Sequence, residues 1–285
     1  MKRSRTSYPY FSANSSDKET IVMNYSTSRT VLRFDTLTMA KRCLLLSCRN
    51  PDALLSSILM PILMMLLFTA LFGKLIRTDG IPYVEYIVPG ILLQCFAQCS
   101  AITAITVNRD LTGGIVSRFC TLPIRKSSIL NGHILEAAVR SLISSAAALA
   151  AAFVLGFRPS ADPAGWCVVL LLLAGVILTF SWLSILTGCL AKSPEGAGGL
   201  FTLALLLPYL SSGFIPTESM PAALAAFARH QPMTPVIDSI RAILLGGFPK
   251  TGTLMAALLW CIGLSALFCF VAVRSFHRKT SDSQK

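Results

Sequence analysis

Glu136 and Arg140 stand four residues apart in "ILEAAVRSLISS", a stretch otherwise free of charge. On a helix this spacing places the acid one turn before the base, where the two can pair. Within a membrane such a pair can relay protons, because ionisable groups at that depth are commonly functional. The reading the sequence favours is plainer: the pair sits at one end of its helix and both heads reach for water. Asp238 and Arg241 form a second pair, three residues apart. The histidines, His133, His230 and His277, are dispersed along the chain. No HExxH and no Ser/His/Asp arrangement stands out, which argues against a membrane-embedded enzyme.

The nine cysteines are scattered, with no CxxC, so zinc-ribbon spacing is missing and a disulfide framework is not expected. Cys95 and Cys99 share a helix face with small residues nearby, Ser100, Ala101 and Ala104. Small faces let membrane helices approach closely, so this pair reads as packing rather than as a metal site. "GGFPKTG", residues 246–252, has the look of a phosphate loop, but Pro249 stands where the final Gly of G-x-x-x-x-G-K-[ST] must be. The chain has no ATP site of its own and needs no metal.

The elements that position these groups are apolar helices. Of 285 residues 54% are hydrophobic and only 13% charged, against about 25% charged in a soluble domain. A spanning helix needs about 20 mostly apolar residues. Six stretches qualify: about 53–73, 87–107, 137–157, 165–190, 198–216 and 253–273. The expected fold is therefore an all-α membrane protein with six transmembrane helices. Residues 1–32 are polar, carry no signal-peptide core and are expected to be a disordered cytoplasmic extension, with 1–22 dispensable before Met23. Asn24 fits a glycosylation sequon that reads as chance. Residues 33–275 form the membrane domain and 276–285 a cytoplasmic tail.

Charge orients the spans. The net charge is +12, with 25 basic residues. Six of them, Lys74, Arg77, Arg158, Arg229, Arg241 and Lys250, fall on one side, and the other nineteen on the opposite side. Positive residues mark the cytoplasm, so both termini lie there, which six spans satisfy. No nucleic-acid motif accompanies the basic N-terminal segment, and nucleic acid is not an expected partner.

"PYLSSGFIPTESMP", residues 208–221, ends the fifth apolar stretch with three prolines in fourteen residues. Pro208 is expected to kink that span. Pro221 can open a short helix over Ala222–Ala228. Thr234 fits an N-cap with Pro235 behind it, and Gly246-Gly247 fits a stop. Between them Val236, Ile237, Ile240, Ile243 and Leu244 recur at helical spacing. This amphipathic piece is too short to span; it either lies in the interface or re-enters the membrane where protein shields its ends. Before the first span, "RFDTLTMAKRCLLLSCRNP" puts Phe34, Leu37, Leu44 and Leu45 roughly on one face, with Lys41, Arg42 and Arg49 placed to meet anionic headgroups. After the second span, Asp110 can cap a short helix. Gly113 and Gly114 either let a partner approach closely or end that helix.

Five stretches, "RNPDALLSSILMPILMMLLFTALFG", "YIVPGILLQ", "RDLTGGIVSRFCTLPIRKSSILNGHI", "SGFIPTESMP" and "QPMTPVIDSIRAILLGG", together resemble the ABC-2-type transporter permease, closest to the daunorubicin/doxorubicin-resistance group. The resemblance covers about residues 33–275, and Gln231 departs from it where the family often has Asn. It implies the membrane subunit of an exporter in a bacterial plasma membrane. It implies a second permease, identical or a paralogue, and a separate ABC ATPase that binds ATP and Mg²⁺. It also implies an interfacial helix matching Phe34 to Ser47 and a coupling segment matching Arg109 to Phe119, with Arg109, Asp110, Leu111, Gly113, Gly114 and Arg118 as its candidate residues. The re-entrant signature would comprise Gly213, Pro216, Pro232, Asp238, Arg241 and Gly246. The substrate class expected is hydrophobic or amphipathic: a drug, a lipid or a natural product. The alternative from another class is an ion-coupled secondary transporter. That class tends to carry mid-membrane carboxylates and internal repeats, and neither is evident here.

Overall fold

The computed structural model describes residues 29–74, 80–120 and 126–282. Among these the chain forms ten α-helices and no strand: α1 (Arg29–Cys48), α2 (Pro51–Phe72), α3 (Tyr83–Thr112), α4 (Ile115–Cys120), α5 (Lys126–Val154), α6 (Pro163–Leu190), α7 (Pro194–Leu206), α8 (Ala222–His230), α9 (Met233–Leu244) and α10 (Thr251–Asp282). The expected disorder over 1–32 falls mostly outside the described residues, but residues 29–32 are already helical. The expected tail is likewise the end of α10, which runs through Asp282.

Local signals place several helix starts. Pro51 and Pro163 occupy first-turn positions, where a missing N–H removes nothing from the helix. Asp162 accepts from the Gly165 amide at 2.8 Å, and Ser193 accepts from Gly196 at 3.1 Å. Those bonds satisfy orphan donors at the starts of α6 and α7.

Five helices, α2, α3, α5, α6 and α10, are long and apolar enough to cross a membrane. The central one is α3, with 78% of its apolar window buried, against 17% for α2 and 22% for α10. It packs on α6, α7, α5 and α2, while α10 lies along α6. The main core gathers Ile87, Leu93, Phe96, Phe157, Phe180, Phe201 and Phe214. A second, separate core lies at the end of the bundle where α3 meets α4.

The fifth apolar stretch departs from the expected single kinked helix. Helix α7 has 13 residues, about 20 Å at 1.5 Å per residue, short of the ~30 Å hydrocarbon layer. It stops at Leu206, because Pro208 offers no N–H to continue the ladder. Residues 207–215 run on as turns and bends. Phe214, fully buried, holds this segment to α2 through Phe68, with ring centroids 4.9 Å apart.

Candidate functional site

Two polar clusters sit at opposite ends of α3. The first forms where α1, α3 and α5 meet. Asp110 lies in the last turn of α3, inside the helix, so it is not the cap of a following helix. Its carboxylate accepts from both terminal nitrogens of Arg42, at 2.8 and 3.2 Å, and His133 Nε2 approaches to 3.4 Å. On its other side His133 Nδ1 faces the Cys43 thiol at 3.8 Å. The two ring nitrogens face different partners on different helices, so the imidazole works as a bridge from α1 to α3. Donating to the Asp110 carboxylate holds the Arg42 guanidinium pKa above its ordinary value. Arg42 also stacks over Phe119 of α4, 5.1 Å from the ring centroid.

Arg42 is thus drawn away from the headgroup role expected for it, because a desolvated carboxylate offers a stronger partner than solvent-screened lipid charge. Lys41 and Arg49 remain exposed. The buried face of α1 is Met39, Ala40 and Cys43, packed so closely on α5 that a Cβ at Gly132 would stand 2.8 Å from Met39 Cβ. Of the face expected to be apolar, Leu37 and Leu45 are exposed and Leu44 is half-buried, while Phe34 lies on the same helix.

After Asp110 the chain breaks at Gly113-Gly114. Gly114 has φ +71°, a conformation that favours glycine, and a Cβ there would meet nothing within 4 Å. Its role in the fold is therefore to turn the chain from α3 into α4. Leu111 is half-buried against the second core, and Arg109 and Arg118 are exposed. Arg125 of the same loop lies outside the described residues.

Beside this cluster Glu136 and Arg140 are both 4% exposed and 3.0 Å apart. They do not snorkel. Arg140 also donates to Thr103 Oγ1 at 2.6 Å, to the Cys99 carbonyl at 3.0 Å and to Ser47 at 3.2 Å. The pair ties α5 to α3 and to the end of α1. Cys95 and Cys99 face α5, with Cys95 Sγ 3.9 Å from the Ser144 carbonyl, as the packing reading expects.

The second cluster surrounds the non-helical segment after α7. Backbone without a helical ladder is tolerated at membrane depth only where protein satisfies it. Arg241, on α9, supplies that satisfaction. Its Nε donates to the Tyr86 carbonyl at 3.1 Å, one terminal nitrogen to Asp238 at 2.8 Å, and the other to the Ser212 carbonyl. The guanidinium carbon lies 3.8 Å from the Tyr86 ring centroid. The Tyr86 hydroxyl donates to the same Ser212 carbonyl at 2.9 Å, and Tyr83 donates to the Phe214 carbonyl at 2.9 Å. Ser212 Oγ donates to Asp238 at 2.7 Å.

Gly213 lies against Gly90 of α3. A Cβ on Gly90 would stand 2.7 Å from the Gly213 carbonyl oxygen, so only glycine admits the segment there. The expected N-cap at Thr234 is displaced: α9 starts at Met233 after Pro232, and the Thr234 hydroxyl instead donates to the Ala228 carbonyl at 2.6 Å. The apolar stripe of α9 faces the main core, where Val236, Ile237, Ile240, Ile243 and Leu244 are all buried. Gly246, at φ +77°, stops α9, and Pro216 opens a single 3₁₀ turn, Thr217–Ser219. The structure therefore gathers Gly213, Asp238 and Arg241 into one cluster. Pro216, Pro232 and Gly246 bound the elements around it.

The sequence reading takes His133 only as one of three dispersed histidines and gives Tyr86 and Ser212 no role. Nothing local marks them: each finds its partner across the fold.

A bundle with five membrane-length helices among the described residues and charged clusters at both ends of its central helix is a polytopic membrane protein. The chain belongs to the ABC-2 type transporter family, whose model matches residues 35–245. It is similar to the daunorubicin resistance ABC transporter permease protein DrrB1 of Streptomyces coeruleorubidus, with 28% identity covering 86% of this chain and 87% of that protein. The probable doxorubicin resistance ABC transporter permease protein DrrC of Mycobacterium tuberculosis is 28% identical over 86% of this chain and 89% of its own length. The putative transport permease ycf38 of Cyanophora paradoxa is 29% identical over 71% of each chain. The chain is a transmembrane permease subunit of an ABC exporter.

Proposed function

We propose that two permease chains, identical or paralogous, pair in the bacterial plasma membrane and form an export path for a hydrophobic or amphipathic molecule. A separate ATPase, which binds ATP and Mg²⁺, docks at α4 of each chain. In this reading there are six crossings, the fifth made by α7 together with the non-helical segment that Arg241 holds. Both termini lie in the cytoplasm, α1 rests on the inner leaflet and α8 and α9 re-enter from outside. The excess of basic residues on the α4 side supports that orientation.

The observation that carries the reading is the Arg42–Asp110–His133 cluster. It ties α4's neighbourhood to α1, α3 and α5 at once, so a push on α4 reaches several helices. Two supports favour an apolar cargo. The relatives named above are called resistance permeases for daunorubicin or doxorubicin. A groove of about 470 Å³ between α3, α5 and α6 is lined almost wholly by side chains such as Leu92, Phe96 and Leu142.

Inside-out vesicles carrying the chain and its ATPase, with daunorubicin or a fluorescent lipid as probe, test the energy source. Accumulation that needs ATP hydrolysis and survives a protonophore is the expected result. Accumulation that follows the proton gradient and ignores ATP would refute it.

A further inference from the structure

Helix α10 is a single helix of 32 residues, about 48 Å long. The hydrocarbon layer takes about 30 Å, so the residues after Val273, 274–282, extend past it as a rigid rod. The apolar stretch ends at Val273, and Arg274, His277, Arg278 and Lys279 follow. This rod stands at the same end of the bundle as α4. Phe276 on the rod, 1% exposed, shares the second apolar core with Val116 of α4, Val107 of α3 and Ile129 and Leu130 of α5. Lys279 Nζ donates to the Ala191 carbonyl at 2.9 Å, an oxygen that Asn108 Nδ2 also reaches at 2.9 Å. The rod is thus fixed in rotation by Phe276 and tied to the end of α6 by Lys279.

Between α4 and the rod lies a cleft of about 210 Å³, lined by Leu111, Thr112, Val116, Ser117, Lys279 and Thr280. Around it the exposed charges are mainly basic: Arg109, Arg118, Lys192, Arg274 and Arg278. Of the acids at this end, Asp110 and Glu136 are buried and paired, Asp52 and Glu195 are exposed, and Asp282 ends the rod, so basic residues outnumber acidic ones.

We propose that α4 and the extension of α10 form one two-armed dock for the ATPase subunit. The cleft receives a side chain of that subunit and the basic collar faces an acidic surface on it. This rests on the exporter reading above and adds the C-terminal helix to the coupling machinery. Arg274 and Arg278, one and five residues past Val273, stand about 1.5 and 7.5 Å along the helix axis, inside and at the outer edge of a headgroup layer about 5–7 Å deep. It is therefore the cleft rather than the collar that singles out a protein partner over lipid. The cleft itself opens between two protein helices. Rigidity matters too: a straight helix anchored at Phe276 carries a push on its tip along the whole length of α10, which packs on α6.

The test is photo-crosslinking in the intact complex, with p-benzoylphenylalanine in place of Arg118 or of Arg278. Adducts to the ATPase from both positions are expected. An adduct from the Arg118 position alone overturns the two-armed dock and leaves the exporter reading standing. Adducts from the Arg278 position to phospholipid alone overturn the dock in favour of a headgroup collar. No ATPase adduct from either position overturns both. The double variant Arg274→Glu/Arg278→Glu, at exposed positions, is expected to keep its elution profile and membrane level. Its retention of the ATPase should fall about tenfold, more at low salt than at high. Unchanged retention would contradict the proposal.

Discussion

Replacing Arg241 by alanine should loosen the segment after α7 more than any other single change on α9. The magnitude follows from what the guanidinium touches. Two of its bonds reach backbone carbonyls, of Tyr86 and Ser212. Hydrogen bonds from charged groups are worth about 1.5–3 kcal/mol, but each carbonyl has recourse elsewhere. Tyr86 is in a helix, and Ser212 still accepts from the Tyr86 hydroxyl. About 1 kcal/mol each is therefore the reasonable loss. The stacking on Tyr86 adds about 1 kcal/mol. The Asp238 side chain is 40% exposed, so that pair adds only about 0.5 kcal/mol. The total is about 3 to 4 kcal/mol. Arg241→Lys keeps a charge but loses the fork that reaches three acceptors, and should fall midway. Asp238→Ala removes only the exposed partner and the Ser212 acceptor, and should lose about 1 kcal/mol. Thermal stability of the detergent-solubilised protein, read as the monodisperse fraction after heating, ranks the variants. Proteolysis between Leu207 and Thr217 reports whether the damage is local. If Asp238→Ala proved worse than Arg241→Ala, the pair and not the carbonyl bonds would hold the segment, and the reasoning would fail.

Gly90→Ala should destabilise by about 2–3 kcal/mol even though alanine favours a helix, because the new methyl meets backbone of Gly213; Gly199→Ala, with nothing within 4 Å, should be neutral on the same thermal assay. Arg42→Ala leaves the buried Asp110 carboxylate with His133 alone and should lose about 3 kcal/mol, while Asp110→Asn should lose about half that. Both should reduce transport per ATP hydrolysed, measured in proteoliposomes, and normal coupling in both would remove the cluster from the mechanism. Glu136→Gln should lose about 2–3 kcal/mol, since Arg140 stays buried with only neutral partners; a change within about 0.5 kcal/mol would return the pair to the water-facing reading.

What was legible in the sequence follows from the range of the signals. Long apolar runs and a stop at Gly246 are local signals, and they place most of the helices. The apolar stripe of α9 is equally local, though the sequence could not say that protein rather than lipid covers it. Pro208 announced a break, but whether a helix kinks or ends there depends on what satisfies the freed carbonyls, and Arg241 lies 33 residues away in sequence. The Asp110 carboxylate was assigned to a cap for the same reason: its partners, Arg42 and His133, belong to other helices. The spacing of Glu136 and Arg140 announces a pair, but not that protein rather than water surrounds it. The polar groups that bury them, Thr103 and the Cys99 carbonyl, stand on α3 and carry no mark in the sequence around either residue.

The measurement that tests the central claim most directly is purification of the chain from native membranes in mild detergent, with every partner identified by mass. The account predicts an ABC ATPase in equal stoichiometry with the permease chains, lost when Asp110 and Arg42 are both replaced by alanine. A chain that purifies without any ATPase, under conditions that preserve known exporter complexes, would contradict it.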